Sequence, residues 1–341
     1  MGTLIDPYNR VIDYMRISVT DRCNLKCIYC MPENTAYIPE EDILTDEEIL
    51  RIVTEAAFLG IRFIKITGGE PLMRQGVPAL IKKLKDKTGI EKVTLTTNGV
   101  LLSEHLSDLC SAGIDGITIS LDTLDPLSFQ ATTGYNRLDK IIKALHESVE
   151  RNIKVKANTV LLEGKDEDKE KETNEEEKEK WMKIVLLAET LPIDVRFVEM
   201  MPIAYGSSFK TVSSDIILNK LKTIYPEIKT SEKRGAGPAV YYTIPNFKGK
   251  IGFISAMSHS FCGDCNRIRL TAEGAIKPCL SYSDEISLKA ILRDKTKSRE
   301  DIRKAILSAV AMKPLSHCFA DTHHQVAGKL FEKRSMSTFG G

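Results

Sequence analysis

The sequence predicts an α/β fold in which an incomplete (β/α)6 barrel is followed by a C-terminal α+β region. Six short runs of β-branched and apolar residues recur along residues 1–202, with plausible helices between them. Crossover helices between consecutive strands imply parallel pairing. After residue 202 this alternation stops, so we expect the barrel to span residues 1–202 and the second region to span residues 203–341.

The six predicted strands cover residues 14–20, 62–67, 93–97, 117–120, 155–160 and 195–199. Between the first two, Thr45 followed by Glu48 is a capping box, and the apolar residues after it keep a helical period up to Gly60. After residue 202 the sequence pattern predicts a helix near residues 214–224, three short strand segments, two later helices and an irregular tail.

The charge balance gives no general reason to expect nucleic acid or a membrane as a partner. The chain has 48 basic and 47 acidic residues, for a net charge of +1. No apolar run approaches the roughly twenty residues that span a bilayer. We expect a soluble protein of the cytoplasm, or of the mitochondrial matrix if the host is eukaryotic.

One segment, residues 164–180, contains almost no apolar side chain and is rich in acidic residues. Such a composition cannot bury itself. We interpret the segment as a solvated helix or mobile insertion in preference to a partner-binding acidic patch.

Three cysteines follow the first predicted strand with C-x₃-C-x₂-C spacing: Cys23, Cys27 and Cys30. A four-iron, four-sulfur cluster takes four ligands, so three cysteines leave one iron open to a small molecule. Tyr29 is placed to shield such a ligand from water. Structural zinc is the alternative, but zinc sites usually show paired C-x₂-C units and four ligands.

Gly68 and Gly69 come directly after the second predicted strand, where missing side chains allow a close backbone approach. Together with the cysteine loop one βα unit earlier, this element resembles the radical S-adenosylmethionine (SAM) enzymes. The resemblance implies that the glycine turn binds the methionine part of SAM.

A second group of three cysteines lies in the C-terminal region: Cys262, Cys265 and Cys279. Zinc is a stronger alternative here, because His259 offers a fourth ligand. Arg267 and Arg269, however, suit an anionic ligand, since guanidinium groups bind phosphate in a bidentate way. The pattern therefore favours a second incomplete cluster beside a bound nucleotide.

Three cations lie within otherwise β-branched predicted strands: Arg16, Lys65 and Lys156. A buried unpaired charge costs several kcal/mol, so an anion is expected near them. Snorkelling at a strand end is the alternative for any one of them.

Several motifs together resemble the GTP 3′,8-cyclase family of molybdenum cofactor biosynthesis over nearly the whole chain: Arg16-Ile-Ser, TGGEP, LTTNG, ISLDT, CGDCNRIRL and the terminal Gly340-Gly341. The resemblance implies two [4Fe-4S] clusters, with the first cluster and SAM generating a 5′-deoxyadenosyl radical. In that family the radical takes the ribose 3′ hydrogen of GTP, and the carbon radical closes on guanine C8. The product is 3′,8-cyclo-7,8-dihydro-GTP.

The resemblance also implies roles for individual residues. The SAM contacts are Tyr29, Gly69, Ser120 and Met201. The GTP contacts are Arg16, Lys65, Thr96, Lys156, Arg267, Ile268 and Arg269. The residues that act in catalysis are Arg267, Arg269, Gly340 and Gly341.

The same resemblance implies partners: an electron donor such as flavodoxin or ferredoxin, the downstream cyclic pyranopterin monophosphate synthase, and a second copy of the chain in a homodimer. Two features depart from the family pattern, namely the acidic insertion and Phe339, where a smaller aliphatic residue is usual. The competing hypotheses are another radical SAM enzyme with an auxiliary cluster and a zinc-stabilised binding module.

Overall fold

The structure is a computed structural model that describes residues 2–31, 36–162, 173–319, 325–326 and 329–340. All six predicted strands of the first region are confirmed, and each pairs in parallel with the next. They are β1 (Tyr14–Ser18), β2 (Phe63–Thr67), β3 (Lys92–Thr97), β4 (Gly116–Ser120), β5 (Val155–Leu161) and β6 (Asp194–Glu199).

Helices fill the connections between these strands: α1 (Asp46–Leu59), α2 (Val77–Lys87), α3 (Leu102–Ser111), α4 (Pro126–Thr133), α5 (Leu138–Glu150) and α6 (Thr173–Thr190). The predicted capping box of α1 is confirmed, because Thr45 and Glu48 each accept a hydrogen bond from the other's backbone N–H. Residues 164–172 of the predicted acidic insertion lie outside the described residues. No helix of the described part of the chain is long and apolar enough to cross a membrane.

The C-terminal region adds the elements α7 (Ser214–Ile224), β7 (Lys229–Ser231), β8 (Val240–Thr243), β9 (Ile251–Ile254), β10 (Arg267–Leu270), β11 (Ala275–Lys277), β12 (Ile286–Ser287), α8 (Leu288–Arg293), α9 (Arg299–Ala311), β13 (Gln325–Val326), β14 (Lys329–Leu330) and α10 (Met336–Phe339). The sequence predicted a region packed against the barrel, but its strands continue the barrel sheet itself. β10 pairs in parallel with β1, and β9 pairs in parallel with β6. The strand order is β12-β11-β10-β1-β2-β3-β4-β5-β6-β9-β8-β7. This extension satisfies the backbone groups that β1 and β6 would otherwise leave at open edges.

The two faces of the sheet have opposite chemistry because successive side chains of a strand point to opposite sides. Ile64 and Ile66 of β2 belong to the hydrophobic core, whereas Lys65 lies between them on the other face. The Nζ atom of Lys65 donates to the hydroxyl of Thr118 on β4 at 3.2 Å. Since β2 and β4 are not neighbours in the sheet, this contact crosses a concave interior. The polar face is therefore the inside of the partial barrel.

Candidate active site

The first cysteine group lies on the loop that leaves the carboxyl end of β1. The carbonyl of Cys27 accepts hydrogen bonds from the N–H groups of Cys30 and Met31, at 2.9 and 3.0 Å, and these bonds close the loop. The thiol of Cys23 accepts from the N–H of Leu25 at 3.5 Å and from the side-chain amide of Asn98 at 3.7 Å. Loops at the carboxyl ends of parallel strands are where α/β folds hold their chemistry.

The electrostatics of this loop fit a positively charged metal centre. Burial raises the pKa of the Cys23 thiol to about 11. Burial, with a smaller contribution from repulsion by Cys23, raises the pKa of Cys30 to about 12. Burial and repulsion by Cys30 and Cys23 raise the pKa of Cys27. Three thiolates that oppose one another's ionisation are stabilised together by cationic iron, so the donor set fits a three-cysteine cluster.

Tyr29 connects the cysteine loop to the opposite side of the barrel mouth. Its hydroxyl donates to Asp122, just beyond β4, at 2.7 Å. The other carboxylate oxygen of Asp122 accepts from the N–H of Val160 on β5 at 2.8 Å. The ring is thus fixed beside the cysteines, where the sequence placed a SAM contact.

The glycine turn after β2 packs against the start of the cysteine loop. A Cβ atom at Gly69 would lie 2.4 Å from the carbonyl oxygen of Arg22, and one at Gly68 would lie 2.5 Å from that of Thr20. The absence of side chains at these glycines therefore lets the turn pack directly against the backbone of the cysteine loop. From the sequence we had expected the two glycines to allow the close approach of a ligand only.

Glu70 completes the turn as a fully buried carboxyl group. It accepts hydrogen bonds from the Thr97 hydroxyl at 2.7 Å, the Asn98 N–H at 2.7 Å and the Leu72 N–H at 3.0 Å. Burial raises its pKa to about 7, although these three donors act in the opposite direction. Ser120, at the end of β4, and Met201, just after β6, lie at the same end of the sheet.

A lateral row of cations crosses three neighbouring strands on the concave face. Arg269 of β10 is in register with Arg16 of β1, which is in register with Lys65 of β2. Residues in register on parallel strands point to the same face, so these three side chains lie side by side. The sequence placed Arg16 and Lys65 as inward cations, and the structure adds Arg269 to the same row.

A fourth cation, Arg196 of β6, enters the interior from the far side. Its exposed fraction is 7%, and it donates to the Asn158 side chain at 2.8 Å and to the Thr118 hydroxyl at 3.3 Å. The Thr118 hydroxyl therefore accepts hydrogen bonds from both Arg196 and Lys65, which come from strands on either side of β4. Sequence analysis missed Arg196, although an arginine within VRFVE carried the same signal as Lys65 within its strand.

Lys156 of β5 lies at the amino-terminal end of this interior. Its Nζ atom contacts the Tyr241 hydroxyl at 2.8 Å, the Arg234 carbonyl at 3.2 Å and the Asp194 carboxylate at 3.9 Å. Burial, with repulsion from Arg196, lowers its pKa to about 8. Thr96 of β3 is in register with Thr118 and so also faces the interior.

The interior cations oppose one another's charge. Burial lowers the pKa of Lys65 well below its usual value, and the charges of Arg196, Arg16 and Lys156 lower it further. Burial and repulsion from neighbouring arginines likewise lower the pKa values of Arg16 and Arg269. A polyanion bound here would remove this repulsion, which is what a triphosphate supplies.

The second cysteine group lies where β10 begins and where β11 ends. The thiol of Cys262 accepts from the N–H of His317 at 3.3 Å, and that of Cys265 accepts from Arg267 at 3.6 Å. The thiol of Cys279 lies 3.2 Å from the Ser281 hydroxyl. Hydrogen bonds to cluster sulfurs are a usual feature of iron–sulfur sites.

The environment of Cys265 favours a bound thiolate. Burial alone raises the pKa of this thiol. The positive charges of Arg267 and Lys313 outweigh burial and lower the pKa to about 6. Lowered thiol pKa values beside cations are typical of metal-binding and reactive cysteines.

The structure does not support His259 as a zinc ligand. Its Nε2 atom lies 2.8 Å from the carboxylate of Asp215, and both side chains are largely exposed. Among the described residues, no group of three or more His, Cys, Asp or Glu side chains is arranged to hold a single metal ion. A cluster, whose cysteines bind separate irons, requires wider spacing than one ion does.

The residues Arg267, Ile268 and Arg269 do not all face the same way. By their register with Tyr14 and Arg16 of β1 the two arginines lie on the interior face, whereas the side chain of Ile268 is fully buried in the hydrophobic core. Only the backbone of Ile268 is therefore available to a ligand in the interior.

The C-terminal tail lies against the first cysteine loop and against β10. The hydroxyl of Ser335 donates to the carbonyl of Cys30 at 2.5 Å, and Arg269 donates to the carbonyl of Gly340 at 2.7 Å. Phe339 is fully buried, with the cations of Lys277 and Arg334 at 5.6 and 5.9 Å from its ring centre. The predicted catalytic Gly341 lies outside the described residues.

Comparison with known protein families matches residues 17–176 to the radical SAM superfamily and residues 193–319 to the Molybdenum Cofactor Synthesis C family. A Clostridium perfringens (strain SM101 / Type A) protein named GTP 3′,8-cyclase is 42% identical over 98% of this chain and 99% of its own length. A Desulforamulus reducens protein of the same name is 40% identical over 99% of this chain and 100% of its own length.

Among solved structures, Streptococcus suis SuiB bound to S-adenosylmethionine matches with a TM-score of 0.58 at 18% identity, over 87% of this chain and 69% of that one. The same protein bound to precursor peptide SuiA matches with a TM-score of 0.57 at 19% identity, over 90% of this chain and 67% of that one. Together with the family match over residues 17–176, these matches confirm the predicted radical SAM fold. Because the full-length relatives share far higher identity, the chain belongs to the GTP 3′,8-cyclase family of radical SAM enzymes.

Proposed function

We propose that this chain converts GTP to 3′,8-cyclo-7,8-dihydro-GTP, the first step of molybdenum cofactor biosynthesis. The observation that carries the proposal is the cationic interior, which adjoins both cysteine sites. Arg267 contacts Cys265 of the second site, while Ser335 of the tail contacts Cys30 of the first. Between them lie the interior cations whose charge a nucleotide triphosphate would neutralise.

The interior residues bind and orient the substrate. Arg16, Lys65 and Arg196 surround one volume and have the donors to hold phosphate oxygens, and Lys156 extends that surface toward the amino-terminal ends of the strands. Arg267 and Arg269 anchor the nucleotide on the side of the second cysteine group. Fixing both ends of GTP matters because a misplacement of about 1 Å can cost roughly a hundredfold in rate.

The cysteines fit iron–sulfur clusters, and the remaining mouth residues fit SAM. Cys23, Cys27 and Cys30 would hold the first cluster, and Cys262, Cys265 and Cys279 the second. When bound, the first cluster and SAM supply the 5′-deoxyadenosyl radical that starts the reaction. We propose that Tyr29, Gly69, Ser120 and Met201 hold SAM at the carboxyl ends of the strands.

Gly340 has a separate role in this proposal, because it brings the tail to the arginine that faces the substrate. The tail closes the space between the two cysteine sites and limits the access of water to it. We assign Gly341 to the same role on the family resemblance alone.

The proposed partners follow from this chemistry. A reductant such as flavodoxin or ferredoxin must deliver electrons to the first site, and cyclic pyranopterin monophosphate synthase would take the product. We also propose a homodimer. A reducing compartment such as the cytoplasm suits the chain, since the cluster cysteines must stay reduced.

We further propose that residues 1–202 generate the radical and that residues 203–341 bind the second cluster and the substrate. The two family matches support a division into two parts, since one covers residues 17–176 and the other, which begins just before β6, covers residues 193–319. The continuous sheet makes it a division of function within one folded body.

The decisive experiment supplies anaerobically reconstituted protein with SAM, GTP and a strong reductant. Formation of both deoxyadenosine and the cyclised nucleotide is expected, with about eight irons per chain. Cys27→Ala should abolish deoxyadenosine formation while about half of the iron remains. Protein that carries both clusters and cleaves SAM but leaves GTP unchanged would refute the proposed function.

A further inference from the structure

A buried lysine, Lys313, lies between the two segments that carry the second cysteine group, one with Cys262 and Cys265 and the other with Cys279. Its exposed fraction is 4%. Its Nζ atom donates to the carbonyl of Arg267 at 2.8 Å and to that of Pro278 at 2.9 Å. Arg267 follows Cys265 by two residues and Pro278 immediately precedes Cys279. One ammonium group therefore fixes the backbone beside two cluster ligands.

The charge of Lys313 is not balanced by a carboxylate within the described part of the chain. Another buried lysine, Lys277, shows the usual solution, because it forms an ion pair with the buried Glu332. An ammonium that is buried among neutral carbonyls costs several kcal/mol unless a negative charge is nearby. The position of Lys313 thus calls for an anion at the cysteine site.

An iron–sulfur cluster supplies that anion. Three thiolate ligands outweigh the positive charge of a four-iron core, so the site is negative, and reduction makes it more negative. A fixed cation beside it stabilises the reduced state more than the oxidised state. Net charge and hydrogen bonds near the sulfurs are among the factors that set a cluster's potential.

The carbonyl of Cys262 is held by a different cation. Arg10 donates to the carbonyl of Cys262 at 2.7 Å and to those of Pro314 and Leu315 at 2.6 and 2.9 Å. Arg10 is paired with the buried Asp6 at 2.6 Å, so its charge is locally neutralised. Arg10 can therefore position the loop, whereas the charge of Lys313 is left for the cluster, together with that of Arg267, which donates to the Cys265 thiol.

We propose that Lys313 is a positioning residue of the second cluster that also raises its reduction potential. The inference rests on the proposed function, since it requires a cluster at Cys262, Cys265 and Cys279. It concerns a residue that none of the motifs singled out.

The test uses the full-length chain with Cys27→Ala, so that the second cluster is the one observed. Iron and sulfide analysis comes first, and a parent protein without iron would mean that the proposed cluster site itself is wrong. Lys313→Gln removes the charge but keeps a donor, and Lys313→Arg keeps the charge. Lys289→Gln is the matched control, because Lys289 also donates to a carbonyl, that of Asp42, and its charge is balanced by the same residue's carboxylate.

Lys313→Gln should make the reduction equilibrium of the loaded cluster about tenfold less favourable, which is about 59 mV toward negative potential for one electron. Lys313→Arg should restore most of the shift, and Lys289→Gln should cause none. If Lys313→Gln loses iron while Lys313→Arg retains it, the charge is needed for cluster retention, which also supports the proposal. A loaded Lys313→Gln cluster with the parent potential, or equal loss of iron in both variants, would overturn it.

Discussion

The guanidinium group of Arg269 donates a 2.7 Å hydrogen bond to the backbone carbonyl of Gly340. Arg269 stands in the row of interior cations, and Gly340 is the last described residue of the chain. The contact therefore joins the tail to the surface that would hold the nucleotide. At this place the chain requires glycine, because a Cβ at position 340 would lie 2.2 Å from Cγ2 of the Thr67 side chain. The φ angle of +73° also favours glycine.

Gly340→Ala is expected to reduce cyclisation at least about tenfold. The added methyl group meets Thr67, and the left-handed backbone costs a further 1–2 kcal/mol or so for a residue with a side chain. The melting temperature should change little, because the tail is short. The measurements are turnover and thermal unfolding, with Thr338→Ala as a control on the same helix. Unchanged turnover in Gly340→Ala would show that the contact with Arg269 has no catalytic role.

Arg196→Met is expected to weaken GTP binding by roughly tenfold to a hundredfold. A hydrogen bond to a charged group contributes about 1.5–3 kcal/mol, and each 1.4 kcal/mol or so is a factor of ten. Iron content should be unchanged, because Arg196 contacts Asn158 and Thr118 and is remote in sequence from both cysteine groups. Equilibrium binding of GTP to the protein without SAM measures the effect.

The control for this substitution is Arg62→Met. Arg62 precedes β2 and pairs with Glu91 at the surface. Arg62→Met therefore removes the same charge, but outside the barrel. Similar losses of affinity in both variants would indicate a general electrostatic effect rather than a phosphate contact by Arg196.

Cys318→Ala is expected to keep the second cluster, whereas Cys279→Ala is expected to lose it. Cys318 is buried close to the second site, and both its burial and the nearby Cys279 raise its pKa. If three cysteines suffice, the fourth thiol is dispensable and one iron remains open to substrate. Iron content and GTP binding are the measurements, with the exposed Cys110→Ala as a control. Loss of iron in Cys318→Ala would make Cys318 a ligand and remove the open iron.

Glu70 is expected to make the protein less stable as the pH rises from about 5 to 8. Its pKa is about 7 when folded, against 4.5 ordinarily, because burial disfavours the carboxylate. The folded state therefore holds a proton that the unfolded state has released, and that advantage is lost as the pH rises through the folded pKa. Each pKa unit corresponds to about 1.4 kcal/mol.

Glu70→Gln should flatten this pH dependence, since the amide keeps the shape without ionising. Thermal unfolding of anaerobic protein at several pH values measures it, with the exposed Glu227→Gln as the control. If the melting temperature of the wild-type protein rises over this pH range, and rises more than that of Glu70→Gln, Glu70 does not have a raised pKa in the folded protein.

The sequence by itself determined the six barrel strands, the first helix cap and the cysteine spacings, because these depend on local patterns. Alternating apolar residues are sufficient to place β2, and the Thr45 and Glu48 pair is sufficient to start α1. The same locality explains why Lys65 was recognisable as an inward cation.

Only the tertiary structure decided which distant residues meet. Arg269 lies beside Arg16 because β10 pairs with β1, and that pairing joins strands far apart in the chain through backbone hydrogen bonds that any sequence can form. Its strand alone could mark Arg196 as an inward cation, but only the tertiary structure brings Arg196 of β6 and Lys65 of β2 to the same hydroxyl, that of Thr118. Lys313 follows a helix and carries no motif, yet the packing of that helix brings its ammonium between Arg267 and Pro278. Local pattern sets each strand's face, but the register and curvature of the whole sheet decide which charges share the interior.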